Sequence, residues 1–286
     1  MLLEVLDEDL LRTVRAALDE DIGSGDITAA LIPGEQTTTA TVISRETAVV
    51  CGQAWFNAVF AELDSRISIT WLVRDGDTVR DNESLCTLSG PARAILTGER
   101  TALNFLQTLS ATASHARRYA ETIADLPTRI LDTRKTLPGL RRAQKYAIRV
   151  GGCENHRTGL YDGILIKENH IAAAGSISKA VMNAGIANPD VMIEVEVEND
   201  DQIQQALTAG ADRLLLDNFT LAALTDAVQA VAGRAELEAS GVITLENLRE
   251  TARTGVDFIS IGALTKDIQA VDLSMTFDLQ GEPNPG

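Results

Sequence analysis

The chain has 286 residues and carries 25 lysines and arginines against 41 aspartates and glutamates, a net charge of −16. That balance argues against general attraction to nucleic acid or anionic lipid, and the length admits one large domain or a barrel-sized domain with a smaller companion. Three widely spaced cysteines, Cys51, Cys86 and Cys153, suggest buried thiols instead of a disulfide framework or a structural zinc site.

The N-terminal stretch MLLEVLDEDLLRTV lacks the layout of a signal peptide, and no apolar run approaches membrane-spanning length. A cytoplasmic protein with no membrane or nucleic-acid partner is expected. LLRTVRAALDE reads as a helix, and the glycine-rich GSGD at 23–26 as a flexible loop. TTATVISRETAVVCG reads as strands broken by a charged turn, and ISITWLVRDGDTVRDNESLCTLSG as a strand pair around a DG turn. PARAILTGERTALNFLQTLSATASHARRYAETIADL, with Pro91 at its start, predicts two helices leading out of the smaller domain.

From residue 128 the pattern changes to short apolar strands alternating with amphipathic helices, which implies six parallel strands. The later strands begin near 191, 213, 235 and 257, a recurrence of 22 residues. So even a repeat favours a β/α barrel over an open doubly wound sheet, and a count below eight makes that barrel incomplete.

In a barrel the C-terminal strand ends surround the active-site mouth. Here those positions are Arg134 and Lys135, Lys167, Glu196, Asp217, Ser240 with Gly241, and Gly262. The basic groups are concentrated: Arg129 to His170 holds nine basic against four acidic residues. Arg134, Lys135, Arg157 and Lys167, with His156 beside them, offer charged donors for carboxylates or phosphates. Glu196 and Asp217 suit a hard divalent cation or ribose hydroxyls. The Ser240-Gly241 and Gly262 loops suit a terminal phosphate. Together they predict a polyanionic, phosphorylated substrate handled with Mg2+.

Each feature has a plain alternative. Arg141, Arg142, Lys145 and Arg149 have the spacing of a solvated helix face. Glu194, Glu196 and Glu198 alternate like one wet face of a strand, whereas Asp217 follows a purely apolar run and must be paired or coordinate something. His115 reads as structural and His156 as functional, while a solvated loop position suffices for His170. No Ser-His-Asp motif, P-loop or GxGxxG fingerprint is present.

Several blocks resemble the quinolinate phosphoribosyltransferase family: DIGSGDIT, GERTALNFLQ at 98–107, LDTRKTLPGLRRAQKYAIRVGGCENHRTGLYDGILIKENHI at 131–171, IEVEVEN, LLLDNF, EASG and TGVDFISIGALTK. The resemblance implies a smaller N-terminal α/β sandwich domain over 1–114. An incomplete six- or seven-stranded β/α barrel would span 115–270, with 271–286 packing back on the N-terminal domain. It also implies homodimers with composite active sites. Residue by residue, it assigns Arg134, His156, Arg157 and Lys167 to the quinolinate carboxylates, with Arg100 reaching in from the partner, and Lys135 to the pyrophosphate side. Glu196 and Asp217 would serve ribose and Mg2+, and Ser240, Gly241 and Gly262 the 5′-phosphate of 5-phosphoribosyl 1-pyrophosphate. Lys135, Glu196 and Asp217 are the expected catalytic residues. Two departures stand out: Val242 where many relatives have glycine, and Lys266 where they have histidine. The implied reaction yields nicotinate mononucleotide, pyrophosphate and carbon dioxide. The alternatives are transfer to another aromatic acid, or a nonenzymatic phosphometabolite-binding protein.

Overall fold

The computed structural model describes residues 7–278. In chain order it runs α1 (Asp7–Ile22), β1 (Thr37–Ser44), β2 (Ala48–Val49), α2 (Gln53–Leu63), β3 (Ser68–Trp71), β4 (Thr78–Val79), β5 (Ser84–Pro91) and α3 (Ala92–Thr122). Then come β6 (Arg129–Leu131), α4 (Arg141–Val150), β7 (Ile164–Ile166), α5 (Glu168–Ala174), α6 (Ile177–Ala187), β8 (Ile193–Val197), α7 (Asp200–Ala209) and β9 (Arg213–Asp217). The chain continues through α8 (Leu221–Val231), β10 (Glu236–Ser240), α9 (Leu245–Arg253), β11 (Phe258–Ser260), α10 (Ala263–Lys266) and β12 (Leu273–Asp278). No helix among the described residues is long and apolar enough to cross a membrane.

Two compact units result. One comprises residues up to Ala116, Leu137–Gly151 and the chain from Asp267; the other comprises Arg117–Thr136 and Gly152–Lys266. The first unit contains an antiparallel sheet in the order β12-β1-β5-β3. Thr37–Ser44 alternates between outward and buried positions, the period-two pattern of a strand with one face on a core. That core is filled by Trp55, Phe56 and Phe60 of α2, Leu85 and Leu88 of β5, and Ile95, Leu103, Leu106 and Leu109 of α3. The expected hairpin around the DG turn is absent: β3 pairs with β5, and β4 pairs with β2. Asp75 of that turn instead accepts from the backbone N–H of Gly52 (3.1 Å) and Gln53 (3.3 Å), holding the start of α2.

The two expected helices over 92–122 are one helix of 31 residues. Its small polar run, which reads as a break, is used for contacts. Ser110 Oγ accepts from Cys51 N (2.9 Å) and Ser114 Oγ from Val49 N (2.7 Å). Gly98 permits close packing, since a Cβ there would stand 2.7 Å from Leu63 Cδ1 and 2.8 Å from Phe60 Cε1. Another expectation changes at α4: Leu137–Gly151 clusters with the first unit and not with the barrel to which the repeat assigned it. Nor is its basic face solvated throughout, because Gln144 and Lys145 are fully buried, while Arg142 pairs with Asp9. All three cysteines are buried and none is in a disulfide. Of the expected C-terminal segment, Leu273–Asp278 pairs antiparallel with β1, and 279–286 lie outside the described residues.

The second unit is an all-parallel six-stranded sheet in the order β6-β11-β10-β9-β8-β7. The unit's last strand lies beside its first, and His156 beyond β6 reaches Glu194 on β8 and Glu238 on β10, so the sheet curls into a barrel that stays open between β6 and β7. Among the described residues, only the parallel bridge of Leu131 to Glu154 extends beyond β6 there. Helix ends enforce the repeat. Asn199, Thr220 and Thr244 cap the starts of α7, α8 and α9, and Gly210 ends α7 in a left-handed conformation. β8, β9 and β10 therefore each hand the chain to a capped helix start on the same rim.

Candidate active site

Position along each strand sorts its residues into layers, and strand tilt offsets these from the register between neighbours. Glu194 lies opposite Arg213, Arg213 opposite Glu236, and Ser240 opposite Asp217. At the deepest level Arg129 and Arg213 stand 4.1 and 3.9 Å from the Phe258 ring centre. Arg213 also donates to Glu236 (2.6 and 3.0 Å) and has Nη1 3.5 Å from Glu238.

The middle level holds Glu194, Glu238 and His156, three groups whose ligand-type atoms lie within 4.8 Å of one another. Glu194 and Glu238 are 1% and 0% exposed, which corrects the wet-face reading of β8. In a barrel the polar face of an alternating strand turns inward, not to water. His156 Nε2 is 2.9 Å from Glu194 and 3.5 Å from Glu238. Its Nδ1 accepts from the backbone N–H of Arg157 at 2.7 Å. The imidazole proton therefore sits on Nε2, where a metal would require a lone pair, so the cluster is better suited to a shared proton than to a cation. Burial, followed by the neighbouring Glu194, pushes the Glu238 carboxyl up to about 7; burial also raises Glu194.

At the rim stand the residues singled out from the sequence. Lys167 pairs with Glu196 across β7 and β8. His170, expected in a loop, lies in the first turn of α5 and accepts from Lys167 N at 3.0 Å, fixing the backbone that carries the lysine. Burial and then the nearby Arg134 push the Arg157 guanidinium down. Arg157 Nη1 donates to Gly163 O (3.1 Å). Asp217 accepts from Asn218 Nδ2 (2.8 Å). Lys135 runs over Gly262, where a Cβ would meet its Cδ at 2.9 Å. Gly241 has φ +143°, and a Cβ there would meet Asn218 Oδ1 at 2.7 Å. Val242 and Lys266, the two departures, are exposed.

Arg100 is exposed on α3 in the first unit, whereas every other expected site residue belongs to the second. Glu194, Glu238 and Asp132 were not singled out by the sequence reading. Their signal was the position of Glu194 and Glu238 two residues below Glu196 and Ser240 on their strands, and of Asp132 one residue past β6.

Fold and rim together define a two-unit β/α-barrel protein whose strand ends gather cations, carboxylates and glycine loops. Residues 26–110 match the N-terminal domain of quinolinate phosphoribosyl transferase, and 112–276 match its C-terminal domain. The chain belongs to this family. It is 42% identical over 264 residues to a probable nicotinate-nucleotide pyrophosphorylase [carboxylating] of Bacillus subtilis, covering 92% of this chain and 91% of that one. The chloroplastic Arabidopsis thaliana nicotinate-nucleotide pyrophosphorylase [carboxylating] is 37% identical, covering 95% and 84%. Among solved structures, the nicotinate-nucleotide pyrophosphorylase of Francisella tularensis superposes with a TM-score of 0.94 at 47% identity, over 97% of this chain and 99% of that one.

Proposed function

We infer that this chain transfers the phosphoribosyl group of 5-phosphoribosyl 1-pyrophosphate to quinolinate with decarboxylation, in de novo NAD biosynthesis. The observation that carries the reading is the barrel rim itself: Lys167 paired with Glu196, Lys135 lying over Gly262, Asp217 on the next strand end, and Arg157 with Arg134 near enough to lower its guanidinium. Two guanidiniums held together call for an anion, and quinolinate brings two adjacent carboxylates.

Arg134, Arg157 and Lys167 hold the carboxylates, with His156 bracing Arg157 and Arg100 supplied by the second chain of a cytoplasmic homodimer. Lys135 faces the pyrophosphate, and Ser240, Gly241 and Gly262 receive the 5′-phosphate. Mg2+ commonly takes one or two protein carboxylates and fills its remaining positions with phosphate oxygens and water. Glu196 and Asp217 fit that role, since they lie on the same face of adjacent strands and present hard oxygens. Bound there, Mg2+ would supply neutralisation of the charge on the pyrophosphate. The pyridine nitrogen forms a bond to ribose C1 as the C1–O bond to pyrophosphate breaks. The C2 carboxylate then leaves as carbon dioxide, and the C2 carbanion takes up a proton. Orientation and electrostatics suffice, with no covalent nucleophile.

The direct test is product balance. Quinolinate, the sugar pyrophosphate and Mg2+ should yield nicotinate mononucleotide, pyrophosphate and carbon dioxide in equal amounts; pyrophosphate without carbon dioxide would refute the assignment.

A further inference from the structure

The open side of the barrel is crossed by side chains. No strand ladder joins β6 to β7. Asp132, the first residue beyond β6, is 0% exposed and turns both carboxylate oxygens towards the segment that occupies the gap. Oδ1 accepts from His156 N at 2.9 Å and Oδ2 from Asn155 Nδ2 at 2.7 Å. The backbone adds Asp132 N to Glu154 O (3.1 Å) and Glu154 N to Ile130 O (2.8 Å). From there the connection continues: Arg157 N donates to His156 Nδ1 (2.7 Å), and His156 Nε2 reaches Glu194 on β8 (2.9 Å).

We propose that Asp132 is a positioning residue: through Asn155 and His156 it clamps the loop carrying Arg157 to the loop carrying Arg134, across the barrel's open seam, and so sets the spacing of the two guanidiniums. This rests on the quinolinate reading above and names the part of the scaffold that makes the carboxylate pocket. Two cations repel, and at this edge the backbone opposes their separation with one bridge and its two hydrogen bonds instead of a full ladder. A buried carboxylate accepting these two hydrogen bonds adds to that resistance, because turning it away would break both of them in a dry interior. Arg134 lies two residues after Asp132 and Arg157 one residue after His156, so little slack separates the clamp from either cation. The 5′-phosphate loops at Ser240, Gly241 and Gly262 lie on other strands, and Lys135, on the same loop as Arg134, has its own anchor in Thr265 Oγ1, which donates to its carbonyl at 2.8 Å, so the clamp acts chiefly on quinolinate.

The test is substrate-resolved kinetics on the full-length protein with Asp132→Ala, Asp132→Asn, Asn155→Ala and the Asp132→Ala/Asn155→Ala pair. Asp132→Ala should raise KM for quinolinate roughly tenfold or more, with KM for the sugar pyrophosphate within about twofold of wild type. Asp132→Asn, which keeps an acceptor for His156 N, should fall in between. Asn155→Ala should weaken quinolinate in the same direction, and the pair should cost no more than Asp132→Ala alone, because both changes break one connection. Equal loss for both substrates, unchanged quinolinate KM, or additive effects would overturn the clamp. Should Asp132→Ala not fold, Asn155→Ala against Asp132→Asn carries the comparison. A wild-type protein that does not turn over quinolinate would instead overturn the underlying reading.

Discussion

Lys167 on the rim after β7 is ion-paired with Glu196 at the end of β8. In the inferred reaction the two serve different substrates, the lysine a quinolinate carboxylate and the glutamate the ribose and Mg2+. The two satisfy each other, so quinolinate must compete with Glu196 for Lys167. Glu196→Gln should therefore tighten quinolinate binding measured alone, by roughly fivefold for a partly exposed pair worth about 1 kcal/mol. Turnover should nevertheless collapse. Calorimetric titration showing weaker quinolinate binding to the variant would contradict this competition.

The buried acid pair makes a prediction about stability and pH. Glu238 has an ordinary value of 4.5 and is held at about 7 in the folded chain, chiefly by burial and then by Glu194. A raised acid favours folding in its protonated form, so its stabilising contribution is complete below about pH 4.5 and is lost as pH rises through 7. Glu238→Gln stays neutral throughout. Its melting temperature should exceed that of wild type by several degrees at pH 8, with the gap closing towards pH 5. A gap independent of pH would show that Glu238 keeps its charge in the folded protein.

Gly241 combines φ +143° with a would-be Cβ at 2.7 Å from Asn218 Oδ1, next to Asp217. Alanine there must shift the loop or Asn218, at a cost of about 1–3 kcal/mol. Gly241→Ala should raise KM for the sugar pyrophosphate about tenfold while leaving quinolinate affinity unchanged, as read by initial rates and calorimetry. A loss confined to quinolinate would remove this loop from the phosphate role.

Arg100 tests the composite site. Arg100→Ala and Asp217→Asn chains should each be nearly inactive alone and recover activity when mixed under conditions of subunit exchange. With random pairing half the dimers are mixed and each holds one intact site, giving about one quarter of wild-type activity. Mixed dimers seen by mass spectrometry without recovery would place Arg100 outside the partner's site.

The rim was legible in the sequence for a physical reason. An apolar strand that stops at a polar residue before a helix cap marks a C-terminal strand end, and Lys167, Glu196, Asp217 and Ser240 all sit at such points. What lay below them was not legible. Alternation in IEVEV is the same whether Glu194 meets water or a barrel interior, and only closure of the sheet decides between them. Lys145 posed the converse problem: its helical spacing is that of a surface, yet α4 buries it in the first unit. Asp132 could be counted among the acids but not given partners, because the gap it spans exists only once β11 has paired with β6.

The measurement that bears most directly on the central claim is a comparison of two acceptors with one protein. Given 5-phosphoribosyl 1-pyrophosphate and Mg2+, the chain should convert quinolinate to nicotinate mononucleotide and leave nicotinate almost untouched, because nicotinate lacks the C2 carboxylate that the Arg134 and Arg157 pair is inferred to hold. Turnover of nicotinate equal to or faster than that of quinolinate would contradict the account.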